Sequence, residues 1–131
     1  MIAVLDASAA VRTVMDPGTP FREALSIADL VIAPELIAAE VCSAFRKYVR
    51  AGALSRKTAE RSIGQALALV DTMQPMRELV PEVLALSART ESSVYDLFYL
   101  ALAQRTGATL FTADNALRKT AARVGIETVP Q

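Results

Sequence analysis

The chain opens Met1-Ile2-Ala3-Val4-Leu5-Asp6-Ala7-Ser8. The apolar run to Leu5 has the look of a strand buried on both faces, as strands of parallel sheets are. It stops on a carboxylate, Asp6. Ligands of open α/β sheets bind beyond the C-terminal ends of strands. An acid there is either the cap of the next helix or a functional group.

Working outward, Ser8 can cap a helix over 9–15, which Asp16-Pro17-Gly18 ends. A second short helix over 21–28 leads to an apolar strand at 30–33. Pro34 then opens a helix to about Arg50, a position where its missing N–H does no harm. The stripe Ile37, Val41, Ala44, Phe45 and Tyr48 has helical spacing. Ser55 caps a helix over about 56–71 with Ile63, Leu67 and Val70 as its stripe, and the short link before it predicts an antiparallel helical hairpin. A third strand is expected at 76–79, and Pro81 starts a helix to about Arg89.

Ser92 and Ser93 offer caps for a helix over Val94–Thr106 that is apolar almost all round, hence buried, and that Gly107 ends. Thr109-Leu110-Phe111 is a fourth strand, followed by a helix over 115–124 and a last strand around 126–129. Strand and helix alternate, with one hairpin inserted after the second strand. The expectation is a three-layer α/β/α sandwich on a central parallel sheet of four to five strands. A length of 131 residues predicts a single domain over 1–131.

Composition removes several kinds of chemistry. Without histidine, Ser-His-Asp and Cys-His catalysis and the usual Cys/His zinc sites are excluded. The single cysteine, Cys42, cannot form an internal disulfide. Fourteen basic and fourteen acidic side chains cancel, so any nucleic-acid contact must come from local cationic clusters. No signal peptide is visible, and the apolar run from Leu97 to Ala103 is too short to span a bilayer. A soluble cytoplasmic protein is expected.

Four acids stand out by position. Asp6 and Asp114 follow the first and fourth strands and belong at one sheet edge. Glu40 sits on the shoulder of an apolar stripe, and Asp96 lies in the first turn of the buried helix. Each has an ordinary reading, as a cap, a dipole partner or a solvated edge residue. Together they need compensation, because converging carboxylates raise one another's pKa unless a cation binds. No Lys or Arg lies within four residues of Asp6 or of Asp96. All-oxygen ligation favours Mg²⁺ or Mn²⁺. Ser8 and Thr112, each two residues from an acid, add hydroxyls that can hold a ligand or orient a carboxylate, and Glu91 is a further acid close before Asp96.

The segments Leu5-Asp6-Ala7-Ser8, Glu40, Val94-Tyr95-Asp96-Leu97-Phe98-Tyr99-Leu100-Ala101-Leu102-Ala103 and Leu110-Phe111-Thr112-Ala113-Asp114 together resemble the PIN-domain ribonucleases, in particular the VapC-type toxins of bacterial toxin–antitoxin pairs. The resemblance places the family's acidic quartet on Asp6, Glu40, Asp96 and Asp114, as catalytic and metal-holding residues, with Ser8 and Thr112 as the associated hydroxyls. It implies Mg²⁺-dependent hydrolysis of RNA to 5′-phosphate and 3′-hydroxyl ends and an antitoxin partner, and the apolar hairpin from Pro34 to Asp71 offers surface for that partner or for a homodimer or higher oligomer. Candidate RNA contacts are Arg12, Arg46, Lys47, Arg50, Arg118 and Lys119, with Arg56, Lys57 and Arg61 around the hairpin. For most of these a solvated helix face is the competing reading.

The rivals are a PIN-like RNA-processing nuclease with no antitoxin, a non-catalytic binding module of the same fold, and other acidic-pocket proteins. A phosphatase of the haloacid-dehalogenase kind needs Asp-x-Asp, where Ser8 stands here. A receiver domain needs an acceptor aspartate after its third strand and a later lysine, and neither is evident.

Overall fold

Alternate residues of the central strands enter two separate cores, which sets the architecture. The structure, a computed structural model, describes residues 1–130. In chain order its elements are β1 (Ile2–Leu5), α1 (Ala7–Met15), α2 (Pro20–Ser26), β2 (Leu30–Pro34), α3 (Ile37–Arg50), α4 (Arg56–Leu67), β3 (Thr72–Gln74), α5 (Met76–Ser87), α6 (Val94–Thr106), β4 (Thr109–Phe111), α7 (Asn115–Arg123) and β5 (Thr128–Val129). The five strands form one sheet in the order β3-β2-β1-β4-β5, and every pairing is parallel.

Side chains alternate across a strand, so Val4, Ile32 and Leu110 join one core and Ala3, Leu5, Val31, Ala33 and Phe111 the other. The first core is covered by α5, α6 and α7, through residues such as Leu79, Val83, Leu100 and Leu117. The second is covered by α1, α2, α3 and α4, through Ala9, Phe21, Ile37, Phe45 and Ala66. This is the expected three-layer sandwich, with five strands. Helix α6 buries every residue from Leu97 to Ala103, as its all-round apolarity requires. Gly107, at φ +66°, closes it in the left-handed region.

Several local expectations are corrected. The third strand is Thr72–Gln74 rather than 76–79; it is an edge strand with Thr72 and Met73 exposed, so it carries no buried apolar run. Residues 76–79 begin α5, and Pro81 lies inside that helix instead of starting it. The N–H that Pro81 lacks would have bonded the carbonyl of Arg77; both residues lie on the exposed face. Pro34 ends β2, beyond the part of the strand paired with β1. Asp6, not Ser8, caps α1. In α4 the buried stripe is Ala59, Ser62 and Ala66, with Ile63 and Leu67 only half-buried; small residues let the helix approach closely. Ser55 and Ser93 cap α4 and α6 as expected, accepting from the N–H groups of Thr58 and Asp96. No helix among the described residues is long and apolar enough to cross a membrane.

Burial separates two leucines that composition treats alike. Leu100 is 0% exposed and Leu84 is 71% exposed. Leu100→Ala is expected to destabilise the protein by about 2–5 kcal/mol and Leu84→Ala by under about 0.5 kcal/mol, measured as urea unfolding free energies.

Candidate functional site

Strand order reverses between β1 and β4, which are neighbours in the sheet. The chain leaves β1 into α1 on one face and leaves β4 into α7 on the other. Such divergence opens a crevice at the C-terminal strand ends, and Asp6 and Asp114 stand there. The two turns are stitched together. Asp6 N–H donates to the Phe111 carbonyl at 3.1 Å, and Ala113 N–H donates to Ser8 Oγ at 2.9 Å. Ser8 Oγ in turn donates to Asp6 Oδ1 at 2.7 Å and lies 3.3 Å from Thr112 Oγ1. Thr112 Oγ1 accepts from Asp114 N–H at 3.0 Å. The hydroxyls thus orient the acid turns.

All four acids occupy helix N-termini. Asp6 caps α1 by accepting from Ala9 N–H, and Asp114 caps α7 by accepting from Ala116 and Leu117 N–H. Glu40 and Asp96 lie in the first turns of α3 and α6. Asp6 is only 5% exposed. Burial pushes its carboxyl up to about 6, against hydrogen bonding to Thr112, Ser8 and Ala9, and the Glu40 charge raises it further. Burial also raises Glu40, where the Tyr99 hydrogen bond opposes and the Asp96 charge adds. Asp96 is raised by burial and then by Asp114, with Ser93 opposing. The acids are therefore linked in a chain of mutual repulsion, Asp6 to Glu40 to Asp96 to Asp114.

Among the described residues no cation is paired with these acids. The ion pairs among the described residues join Met1 to Asp29, Arg56 to Glu60 and Arg105 to Glu82, and none touches the four acids. An all-oxygen, uncompensated set fits a hard divalent ion. Among the described residues no three carboxylates are grouped tightly enough to hold an ion directly. An ion held there would have to keep part of its water shell, as Mg²⁺ does.

Tyr99 was given no role from sequence. Its hydroxyl donates to Glu40 Oε1 at 2.6 Å across α6 and α3, and the side chain is 2% exposed. Burial and the Glu40 carboxylate hold the phenol protonated, well above its ordinary range. Its position three residues after Asp96, on the buried side of an otherwise apolar helix, was the available signal: a buried hydroxyl requires a partner. Glu91 is exposed, and the charges that perturb Asp6, Glu40 and Asp96 come from other members of the quartet.

The cationic candidates separate. Arg12 and Lys47 border a cleft of about 540 Å³ that also holds Ser8, Glu40, Tyr48 and Asp114. Arg46 and Arg50 line a different groove, with Phe45, Arg56 and Glu60 on the hairpin. Arg118 is turned inward, donating to the Thr112 carbonyl at 3.1 Å and to Asn115 Oδ1 at 2.6 Å. Lys119 lies with Ile126 and Glu127, away from the acids. Lys57 and Arg61 are exposed on α4 and line neither space. A larger cavity of about 810 Å³ opens among Arg22, Gln65 and Asp71, residues of α2, α4 and the approach to β3. It contains none of the four acids, so its size does not make it the chemical site.

The profile of the PIN domain family matches residues 3–123. Similar solved structures include PAE2754 from Pyrobaculum aerophilum, at TM-score 0.72 and 19% identity over 98% of this chain and 84% of that one. A toxin–antitoxin complex from Klebsiella pneumoniae matches at TM-score 0.68 and 18% identity, over 94% of this chain and 92% of that one. VapC20 of Mycobacterium tuberculosis, a sarcin–ricin loop cleaving toxin, matches at TM-score 0.61 and 14% identity, over 95% of each chain. No curated protein matches by sequence.

The raised carboxyl of Asp6 makes stability depend on pH. Between 3.8 and about 6 the folded state holds a proton that the unfolded state has released. Metal-free stability therefore falls as pH rises through that window and stays lower above it, by about 3 kcal/mol at most. Asp6→Asn keeps an acceptor for Ser8 Oγ and Ala9 N–H and removes the charge. In EDTA it is expected to stabilise the protein at pH 7.5 by about 1–3 kcal/mol and to change little near pH 4, as read from urea unfolding at both pH values.

Proposed function

The chain belongs to the PIN domain family, and from that premise we propose that it is a metal-dependent endoribonuclease and the toxin of a toxin–antitoxin pair. The observation that carries the reading is the gathering of four acids without an ion-pair partner at the strand switch point, three of which, Asp6, Glu40 and Asp96, are raised by burial and by a neighbouring carboxylate. Asp6, Glu40, Asp96 and Asp114 would hold Mg²⁺, or Mn²⁺, in part through water. When bound, the ion supplies an activated water and neutralises charge developing on the phosphate.

The protein's own groups do the positioning. Tyr99 fixes one oxygen of Glu40, and Ser8 with the Ala9 N–H fixes one oxygen of Asp6. Four helix N-termini favour the approach of a phosphate that the acids alone would repel. Arg12 and Lys47, at the cleft edge, add cationic contacts to the RNA backbone. Neither a 2′-hydroxyl nor a histidine is required.

An antitoxin and a homodimer belong to the same reading, as does a cytoplasmic location. The fold shared with the Klebsiella toxin–antitoxin complex supports the first. For self-association the support is exposed apolar residues such as Val94 and Tyr95 at the start of α6.

Asp96→Asn is expected to abolish Mg²⁺-dependent cleavage of RNA while leaving the circular dichroism spectrum unchanged; full activity in that variant removes the assignment. Tyr99→Phe should fold and keep its other contacts, but release Glu40. It is expected to lower Mn²⁺ affinity and cleavage rate by roughly 10- to 100-fold, with the metal affinity measured by calorimetry independently of turnover.

A further inference from the structure

The cleft beside the acids has a second half that the acid chemistry leaves unused. One wall is a face of α1, where Ser8, Val11, Arg12 and Met15 follow at helical steps. The other is a face of α3, where Glu40, Ala44, Lys47 and Tyr48 do the same. Both faces start at the acids and lead away from them. Along α3 the rise from Glu40 to Lys47 is roughly 10 Å, enough to pass one nucleotide beyond the reacting phosphate.

The far half carries two kinds of group. Arg12 and Lys47 are exposed, and among the described residues neither is in an ion pair. Beside them lie apolar surfaces: Val11, Ala44, the thioether of Met15 at 38% exposure, and the half-buried ring of Tyr48. Tyr48 is held from behind by Phe45, at a centroid distance of 5.7 Å. An aromatic face braced in this way is a stacking surface for a base, and a methionine adapts to bases of different outline.

Building on the nuclease reading, we propose that this half of the cleft is a nucleotide subsite. An unpaired base next to the scissile phosphodiester lies against Tyr48 and Met15, and its flanking phosphates meet Arg12 and Lys47. The cleft runs between two packed helices. Stacking there requires a base that is free of a duplex. An acidic protein segment would answer the two cations and leave the Tyr48–Met15 surface without a counterpart, and its carboxylates would be repelled by the quartet.

Binding of a fluorescein-labelled single-stranded RNA octamer, read by anisotropy in Mg²⁺ on the Asp96→Asn background, tests the subsite. Tyr48→Leu, which keeps apolar volume for Phe45, should weaken binding roughly 5- to 150-fold without changing the salt dependence. Tyr48→Phe should restore it. Arg12→Ala and Lys47→Ala should each reduce the slope of log affinity against log salt by about 0.7. Arg123→Ala, on α7 outside the cleft, should change neither. Abasic substitution along the octamer should reveal one position at which the Tyr48→Leu loss disappears.

Unchanged binding in Tyr48→Leu, or a loss that persists at every abasic position, overturns the subsite. If instead the Tyr48 and Lys47 variants bind RNA normally but lose an acidic partner protein, the cleft is a protein-docking surface and the proposal fails. Cleavage of a long RNA by the unsubstituted protein reports separately on the premise. A chain that neither cuts nor binds RNA loses the nuclease reading, and with it the subsite. A chain that cuts with unchanged KM after Tyr48→Leu loses the subsite alone.

Discussion

Four carboxylates that repel one another are held at one end of a parallel sheet, and the surrounding structure answers that repulsion. Burial alone would favour the neutral forms of Asp6, Glu40 and Asp96 by raising their pKa values. Two features keep the charged forms within reach. The first is hydrogen bonding: Ser8, Ala9 and Thr112 favour charged Asp6, and Tyr99 favours charged Glu40. The second is the placement of every acid at a helix N-terminus, where unpaired N–H groups and the dipole favour negative charge. What remains unanswered after both is a net demand for positive charge in the cleft.

That arrangement follows from topology. Parallel strands place their C-terminal ends on one side, and the helices that follow β1, β2 and β4 begin there. Because β1 and β4 are adjacent and their helices go to opposite faces, the two acid turns part while their backbones stay bonded through Asp6 and Phe111. The small residues of α1 matter to this. Ala9 and Ala10 are fully buried against the sheet, so the helix lies close and its cap, Asp6, is drawn into the protein rather than left in solvent. The high apolar content of the chain is largely consumed in two cores, one on each face.

Where a local signal was sufficient, the sequence was legible. The apolar run of β1, the all-round apolar α6, the caps Ser55 and Ser93 and the left-handed Gly107 each act over a few residues, and each is found where expected. The acid turns were placed at one edge because any parallel sheet puts them there. What could not be read depended on neighbours distant in sequence. The edge strand Thr72–Gln74 is stabilised by pairing with β2 and has little buried apolar surface of its own. Pro81 looks like a helix start because its tolerance inside α5 depends on which face is exposed. The sorting of the cations into Arg12 and Lys47 at the cleft, Arg46 and Arg50 elsewhere, and Arg118 turned inward is a property of helix packing, which periodicity within one helix does not contain.

The choice posed by Asp6, cap or functional group, dissolves once its atoms are considered separately. A carboxylate has two oxygens. In Asp6 the bonds from Ser8 and Ala9 both fall on Oδ1, and in Asp114 the bonds from Ala116 and Leu117 do the same. Capping through one oxygen thus fixes the orientation of the group. A serine cap would satisfy the same helix end without bringing a charge. The acid adds a charge that the helix dipole favours and that a cation could also meet. Glu40 reaches the same state by another route: its longer side chain makes no cap, and the phenol of Tyr99 occupies Oε1 instead. The fold's ordinary devices for ending strands and starting helices therefore also help to pre-orient the cleft, and at Asp6 and Asp114 the helix cap and the candidate ligand are the same residue.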